Sequence, residues 1–502
     1  MDARRGVTVP LTGPTTSASA SASGWRRLLV EPARPKRIAS RNDAYWFAVA
    51  TVCVGAFMGQ LDASIVTLAF PTLTRDFHAS VADVQWVGLA YLLALAIALP
   101  LVGRLADMVG RKLLYTYGFI LFIIGSALCG LSGSLVMLDI FRVLQAMGAA
   151  MLQANSVAII AGVMPPEKLG SGIGVQGMAQ ALGLALGPVV GGLLITLGGW
   201  RLIFYVNVPA GIVGTMLGWY LIPRSRNLSG TARFDWTGSA MLLPAVGALF
   251  YALSEGSTFG WGSPVILACF VIAIASFAVF LRVEARAAAP ILRLGLLRLR
   301  SFTNGLGQGV TNYMVTFGTL FVVPFFLESA RHASPATAGL ELLAMPAGLG
   351  IVALFAGRWA DQVGPRRPAV IGMSVDVVCL AYLALFRPSG IPFLVALALV
   401  GAGVGASTAP NNAATVGAVP REHQGVASGV LNMIRSFGTA MGLSITASVF
   451  TAVAGSAVDP TLVAGGFSAA VWMLAGVAFV GGVLAVLRGN VKLSADPTLR
   501  VE

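Results

Sequence analysis

Hydrophobic residues in this chain fall in long unbroken runs, not in the narrow stripes of helices and strands that face water on one side. From Tyr45 onward, apolar stretches recur with short polar breaks between them. Each is near the roughly 20 residues needed to cross a hydrocarbon core of about 30 Å. They lie near 46–70, 84–103, 113–131, 135–162, 172–198 and 200–222. After a longer polar break come 236–254 and 264–282, then 303–327, 337–357, 368–386, 390–416, 425–452 and 466–487. The pattern predicts an all-α membrane protein of about fourteen spans.

Composition agrees. Of the 502 residues, 57% are hydrophobic and 11% charged, with a mean hydropathy of +0.83, whereas ordinary soluble domains are about a quarter charged. The net charge of +13 invites a nucleic-acid reading, but its placement argues for topology. With the N-terminus inside, about 27 of the 33 Lys and Arg fall in the tails and cytoplasmic loops, as the positive-inside rule requires. Both termini are therefore expected in the cytoplasm, and no nucleic-acid partner is needed. Cys53, Cys129, Cys269 and Cys379 all lie within apolar runs with no CxxC pair, so they read as small core residues. His78, His332 and His423 are scattered through loops, too far apart in sequence to suggest a metal site.

Residues 1–44 are polar and basic, with the low-complexity run SASASASG, and are expected to be a disordered cytoplasmic tail. No apolar stretch of about 7–15 residues precedes Tyr45, so a secretory signal is not expected; an Arg- and Ser-rich presequence is the lesser alternative. Arginine far outnumbers lysine, and alanine and glycine are abundant. That bias points to a GC-rich bacterial genome and hence to a bacterial cell membrane.

The chain also matches itself. GRLADMVGRK at 103–112 returns as GRWADQVGPR at 357–366, and PPEKLG at 165–170 returns as PREHQG at 420–425. Gly174, Gly183 and Gly187 return as Gly429, Gly438 and Gly442. The nearly constant offset, 254 to 255 residues, marks two homologous halves. The expected organisation is a six-helix bundle over 45–222, an inserted two-helix hairpin with basic cytoplasmic loops over 223–302, a second six-helix bundle over 303–487, and a tail from 488. Two such halves facing a midplane site form a rocker for alternating access.

On these residues the chain resembles the major facilitator superfamily, in its fourteen-span drug:proton antiporter branch. The resemblance covers about 45–490 and rests on LDASIVTLAFP, QWVGLAYLL, GRLADMVGRK, RVLQAMGAAML, GLALGPVVGG and WRLIFYVNVPAG. Two positions depart from the pattern. Ala146 stands where the family usually has glycine after RxxQ, and FFLE at 325–328 ends in an acid where glutamine is common.

Several residues carry candidate chemistry. A carboxylate within a span is costly and usually functional, and Asp62 lies in the first span. Burial penalises its charged form, so it would take up and release a proton; a nearby cation favours the charged form again. Arg142 is the expected cation, with Gln145 on nearly the same helix face. The resemblance implies proton coupling for Asp62; the bland reading is a static ion pair. Gly183, Gly187 and Gly191 share one face and let a neighbouring backbone approach. Pro188 deprives the Leu184 carbonyl of its helical partner and permits a bend. By resemblance these residues, with Gly192, form the antiporter hinge motif. Gly103, Asp107, Gly110 and Arg111, mirrored by Asp361 and Arg366, resemble the family's cytoplasmic loop latch. Phe57, Gln60, Tyr91, Gln153, Asn155, Asn312, Tyr313, Phe317 and Asn411 are polar or aromatic residues of central spans, nominated for a mostly apolar substrate cavity. Asp376 is read as structural, and the roles of Glu328, Glu341, Arg435 and the hairpin stay open.

No GxxxxGK[ST] stretch is present. The expected energy source is therefore a proton gradient with no cofactor, and 100 mV supplies about 2.3 kcal/mol per charge. The expected function is proton-coupled export of a hydrophobic small molecule (drug, antibiotic or secondary metabolite) by a single chain in the bilayer. Export of a lipid or other metabolite, or import on the same fold, are the alternatives. A membrane enzyme is disfavoured because no cluster of His, Asp or Glu marks a membrane face.

Overall fold

The computed structural model describes residues 31, 33–165, 168–225, 236–286, 294–419, 424–455 and 459–488. Most of the expected N-terminal tail, all of the C-terminal one beyond Arg488 and most of PREHQG lie outside the described residues, as do the side chains of Asp107 and Asp361.

The first half runs α1 (Ala44–Phe77), α2 (Val81–Val109), α3 (Arg111–Leu131), α4 (Leu135–Val163), α5 (Leu169–Gly198) and α6 (Asn207–Leu221), the last preceded by a single turn. The inserted pair is α7 (Trp236–Phe259) and α8 (Pro264–Glu284). The second half runs α9 (Arg300–Phe325), a broken helix α10a (Pro335–Leu342) and α10b (Ala344–Val363), α11 (Arg366–Phe386), α12 (Ile391–Gly417), α13 (Gln424–Ala454) and α14 (Pro460–Leu487). Among the described residues, 13 helices are long and apolar enough to cross a membrane. The exception is α7. It carries Ser239, Pro244, Ser254 and Glu255, and it is tolerated because protein covers it on two sides.

Helix starts follow the two membrane faces. On the face opposite the termini, Ser80, Ser134, Ser263, Ser334 and Asp459 cap their helices through side-chain oxygens, satisfying backbone N–H groups that have no partner within the helix. On the termini face, helices begin instead at Arg111, Arg300 and Arg366. A cation is unfavourable at a helix N-terminus, so these residues serve placement in the membrane at some expense of helix stability.

The internal repeat survives in three dimensions. In the first half α1 packs on α5 and α6, and α4 on α2 and α3; in the second, α9 packs on α13 and α14, and α12 on α10b and α11. Between the halves α2 meets α13, and α5 meets α10a and α10b. Each of those contacts is the other's image when the halves are exchanged. Even the tight turns correspond: Gly110 and Gly364 both adopt positive φ, +116° and +82°, which a side chain would resist.

Helix α7 lies between α2 of the first half and α13 of the second, with α8 outside it. Gln85 Nε2 donates to Ser254 Oγ at 2.6 Å, Trp86 Nε1 to Glu255 Oε1 at 3.0 Å, and Ser448 Oγ to the Leu253 carbonyl at 2.5 Å. The hairpin thus brackets both halves near the face opposite the termini. Val271 and Ile274 of α8 point outward, exposed, as lipid-facing residues do.

Candidate functional site

Asp62 sits near the middle of α1 and is fully buried. A lone carboxylate there would cost several kcal/mol, and the surrounding helices supply three donors. Arg142 Nη1, from α4, donates to Asp62 Oδ2 at 2.7 Å. Gln145 Nε2, one turn further along α4, donates to Oδ1 at 2.9 Å, and Asn207 Nδ2, from the start of α6, donates to the same oxygen at 3.0 Å. Ser126 of α3 accepts from both amides, at 3.2 and 3.1 Å, and its own hydroxyl donates to the Phe204 carbonyl at 2.9 Å.

Arg142 is held independently of Asp62. Its Nε donates to the Val87 carbonyl at 3.0 Å, Nη1 also reaches Gln145 Oε1 at 2.7 Å, and the guanidinium lies 4.1 Å above the Tyr91 ring. A cation over an aromatic face is stabilised without any anion. If a proton neutralises Asp62, the guanidinium therefore keeps the Val87 carbonyl, Gln145 and the Tyr91 ring as partners. The group is an ion pair with a built-in alternative for its cation.

The sequence pattern singles out Asp62, Arg142 and Gln145, and the structure puts the three in direct contact. The pattern missed Asn207 and Ser126. Asn207 stands inside WRLIFYVNVPAG, and an asparagine in an otherwise apolar helix start was a legible signal. Ser126 had none.

The glycine face of α5 lies directly against the helix that carries Asp62. A Cβ at Gly183 would run into the Phe57 carbonyl, at Gly187 into Ser64, and at Gly191 into Ile65 at 2.8 Å. The same helix also touches the second half: a Cβ at Gly192 would strike the Pro335 carbonyl, and one at Gly339 of α10a the Pro188 carbonyl. One edge of α5 thus fits α1, and the next closes against α10a.

A further link joins the halves toward the same face. Glu328 is in a π-helical turn, Phe326–Ala330, that follows α9. It pairs with Arg75 of α1 at 2.8 Å. The acid that departs from the family pattern has a partner across the interface.

Between the halves, two small voids of about 20 Å³ each flank Tyr91 and Phe317. Each holds one water at most, far below the roughly 300 Å³ of a small-ligand pocket. Of the nominated cavity residues, Gln60, Tyr91, Gln153 and Phe317 line these voids. Tyr91 Oη has no hydrogen-bond partner there. Arg435 lines the same space and donates to Gln153 Oε1 at 2.7 Å, tying α13 to α4. Asn155 bonds its own helix through the Met151 carbonyl, Asn312 bonds Thr408 and Ser407, and Asn411 bonds the Gly305 carbonyl and Arg488. Asn312 and Asn411 thus hold helices of the second half together; neither they nor Asn155, Phe57 and Tyr313 line the voids. Of the loop motif, Arg111 donates to the Ala158 carbonyl at 3.4 Å, and Gly103 has room for a Cβ. Arg366 opens α11, half-buried.

The profile of the Major Facilitator Superfamily matches residues 52–283, 236–438 and 305–500. The chain belongs to that superfamily. Its similarity to known transporters runs nearly the length of the membrane region. It is 32% identical over 408 residues to the riboflavin transporter RibZ of Clostridioides difficile (strain 630), covering 81% of this chain and 88% of the relative. It is 33% identical over 412 residues to the multidrug resistance protein Stp of Mycobacterium tuberculosis, covering 82% and 76%. It is 31% identical over 402 residues to the tetracenomycin C resistance and export protein of Streptomyces glaucescens, covering 80% and 75%. Among solved structures, a bacterial homologue of the human lysosomal transporter Spinster shares the fold, with a TM-score of 0.67 at 16% identity over 89% of this chain and 98% of that one. Fold and family are those of membrane transporters, not of enzymes.

Proposed function

We propose that this transporter is a proton-coupled antiporter that exports hydrophobic small molecules across a bacterial cell membrane, with both termini in the cytoplasm. The observation that carries the reading is the buried Asp62, bonded by Arg142, Gln145 and Asn207 and lying on the helix against which the glycine face of α5 is seated. A proton on Asp62 competes with Arg142 for the carboxylate. The loss of that ion pair loosens the contact of α1 with α4, and α1 transmits the change to α5 and so to the closure against α10a. The names of two relatives, a multidrug resistance protein and a tetracenomycin C resistance and export protein, support export of an apolar compound. The cations at helix starts on the termini face support a cytoplasmic assignment of that face.

A second reading, carriage of a metabolite, is favoured by the similarity to a riboflavin transporter. Transport in inverted membrane vesicles with an imposed pH gradient tests both, using a panel that includes planar aromatic drugs and riboflavin itself. Uptake into vesicles of a drug but not of riboflavin, abolished by Asp62→Asn, is expected. Gradient-driven movement of riboflavin alone would favour the second reading, and gradient-independent movement would remove proton coupling.

A further inference from the structure

A second cavity lies away from the interface between the halves. It has a volume of about 570 Å³ and lies at the termini face of the first half, among the ends of α1, α2, α3, α4 and α6. Five cations line it: Arg34 and Arg41 from the segment before α1, Arg111 and Lys112 from the start of α3, and Arg224 just beyond α6. The rest of its wall is largely apolar, including Ala106, Ile159, Val163 and Ile222. The acids close by among the described residues are Glu31 and Asp43. Glu31 accepts from the Ser225 backbone N–H at 2.6 Å, the Ser225 hydroxyl at 2.7 Å and the Leu113 N–H at 3.4 Å, and it is a counter-charge to Lys112; Asp43 is paired with Arg41 at 2.9 Å, both side chains being about half exposed. Among the described residues, five cations and these two acids thus surround a concave, partly apolar space.

The positive-inside rule accounts for cations on this face, but it is met by solvated loop residues. It does not account for Lys112, which is 1% exposed, nor for the convergence of five cations on one hollow. Two of the arginines are also fixed in place. Arg34 Nε donates to the Leu221 carbonyl at 2.6 Å, and Arg224 Nε to the Glu31 carbonyl at 2.7 Å. Guanidinium groups and a lysine placed around a hollow suit the oxygens of a phosphate. The apolar wall beside these cations suits the glycerol and first methylenes of a lipid, and basic pockets between membrane helices are a known setting for anionic headgroups.

We propose that this cavity binds a phosphate-bearing anion, supplied either by an anionic phospholipid or by a soluble phosphate compound. Binding joins the segment before α1 to the ends of α3 and α6, so occupancy stabilises the first half. The site is separate from the Asp62 network, and its occupancy does not depend on how transport is energised.

The test uses the full chain purified in dodecyl maltoside and stripped of lipid. Its Tm and its bound-lipid mass are compared after addition of phosphatidylglycerol, phosphatidylcholine or inorganic pyrophosphate. A Tm rise of several degrees and a retained lipid with phosphatidylglycerol, absent with phosphatidylcholine and weakened by salt, are expected for a lipid source. The same rise with pyrophosphate alone assigns the site to a soluble phosphate. Arg41→Gln with Arg224→Gln changes two exposed rim cations without disturbing the core, and it should cut the affinity for the effective anion at least tenfold. Lys112→Gln, read by the same assay if it folds, should do likewise. Equal response to phosphatidylglycerol and phosphatidylcholine with none to pyrophosphate overturns the proposal, as does an undiminished response in the rim variant.

Discussion

Asp62 shows how a charge is made tolerable inside a membrane protein. Three side chains from α4 and α6 donate to it, so removal of its cation should be more harmful than removal of the whole pair. Arg142→Ala leaves a buried carboxylate without its counter-charge and is expected to cost about 3–5 kcal/mol, the usual penalty for breaking a buried pair. Thermal unfolding in detergent checks this, and the double change Asp62→Asn with Arg142→Met should recover much of the loss. Asn207→Ala removes one donor to the charged form. The carboxylate then loses one hydrogen bond to a charged group, worth about 1.5–3 kcal/mol, and Tm in detergent should fall accordingly. Asp376 is the opposite case. It is fully buried and neither carboxylate oxygen has a hydrogen bond. Its carboxylate lies against Gly403 of α12, a helix with no ionisable side chain. An unpaired charge there is costly, so Asp376→Asn, neutral and of the same shape, should leave Tm unchanged or slightly raised.

At the scale of helices, α5 explains why an apolar span keeps glycines and a proline. Its glycines are spaces for other backbones, and two neighbours use them: α1 in the same half and α10a in the other. Gly187→Val would drive atoms into Ser64 and should misplace α1, with loss of both stability and transport. Gly192→Ala is the more selective change, because its contact is with the Pro335 carbonyl across the halves. It should leave the first half folded but weaken closure on the face opposite the termini. Distances between spin labels on α5 and α10a should lengthen, while Tm falls by no more than a few degrees. The apolar runs, the repeat and the small-residue face were all legible in the sequence, because each is a property of local composition or spacing. Partners across the fold were not: the role of Glu328 stays open in the sequence because its partner, Arg75, is 253 residues away along the chain. Asn312 and Asn411 looked like cavity residues because sequence alone does not say which face of a buried helix meets a neighbour.

For the molecule as a whole, the closed centre is the informative feature. Voids of about 20 Å³ admit no drug-sized solute, so transport requires the halves to separate around Tyr91, Phe317 and the Arg435–Gln153 bond. The links described on the face opposite the termini, namely Arg75–Glu328, α5–α10a and the α7 bracket, must yield when that face opens. The hairpin's position was beyond sequence reasoning for the same reason as the cavity faces: α7 has the polarity of a helix flanked by protein, and only the fold shows which protein. The most direct test is proton-driven flux in sealed proteoliposomes holding the purified chain. Acidifying one compartment should drive a hydrophobic substrate against its gradient into that compartment, and Asp62→Asn should abolish uphill movement while retaining substrate binding. Undiminished uphill transport by Asp62→Asn, or no response of the wild type to the pH gradient, would contradict the account.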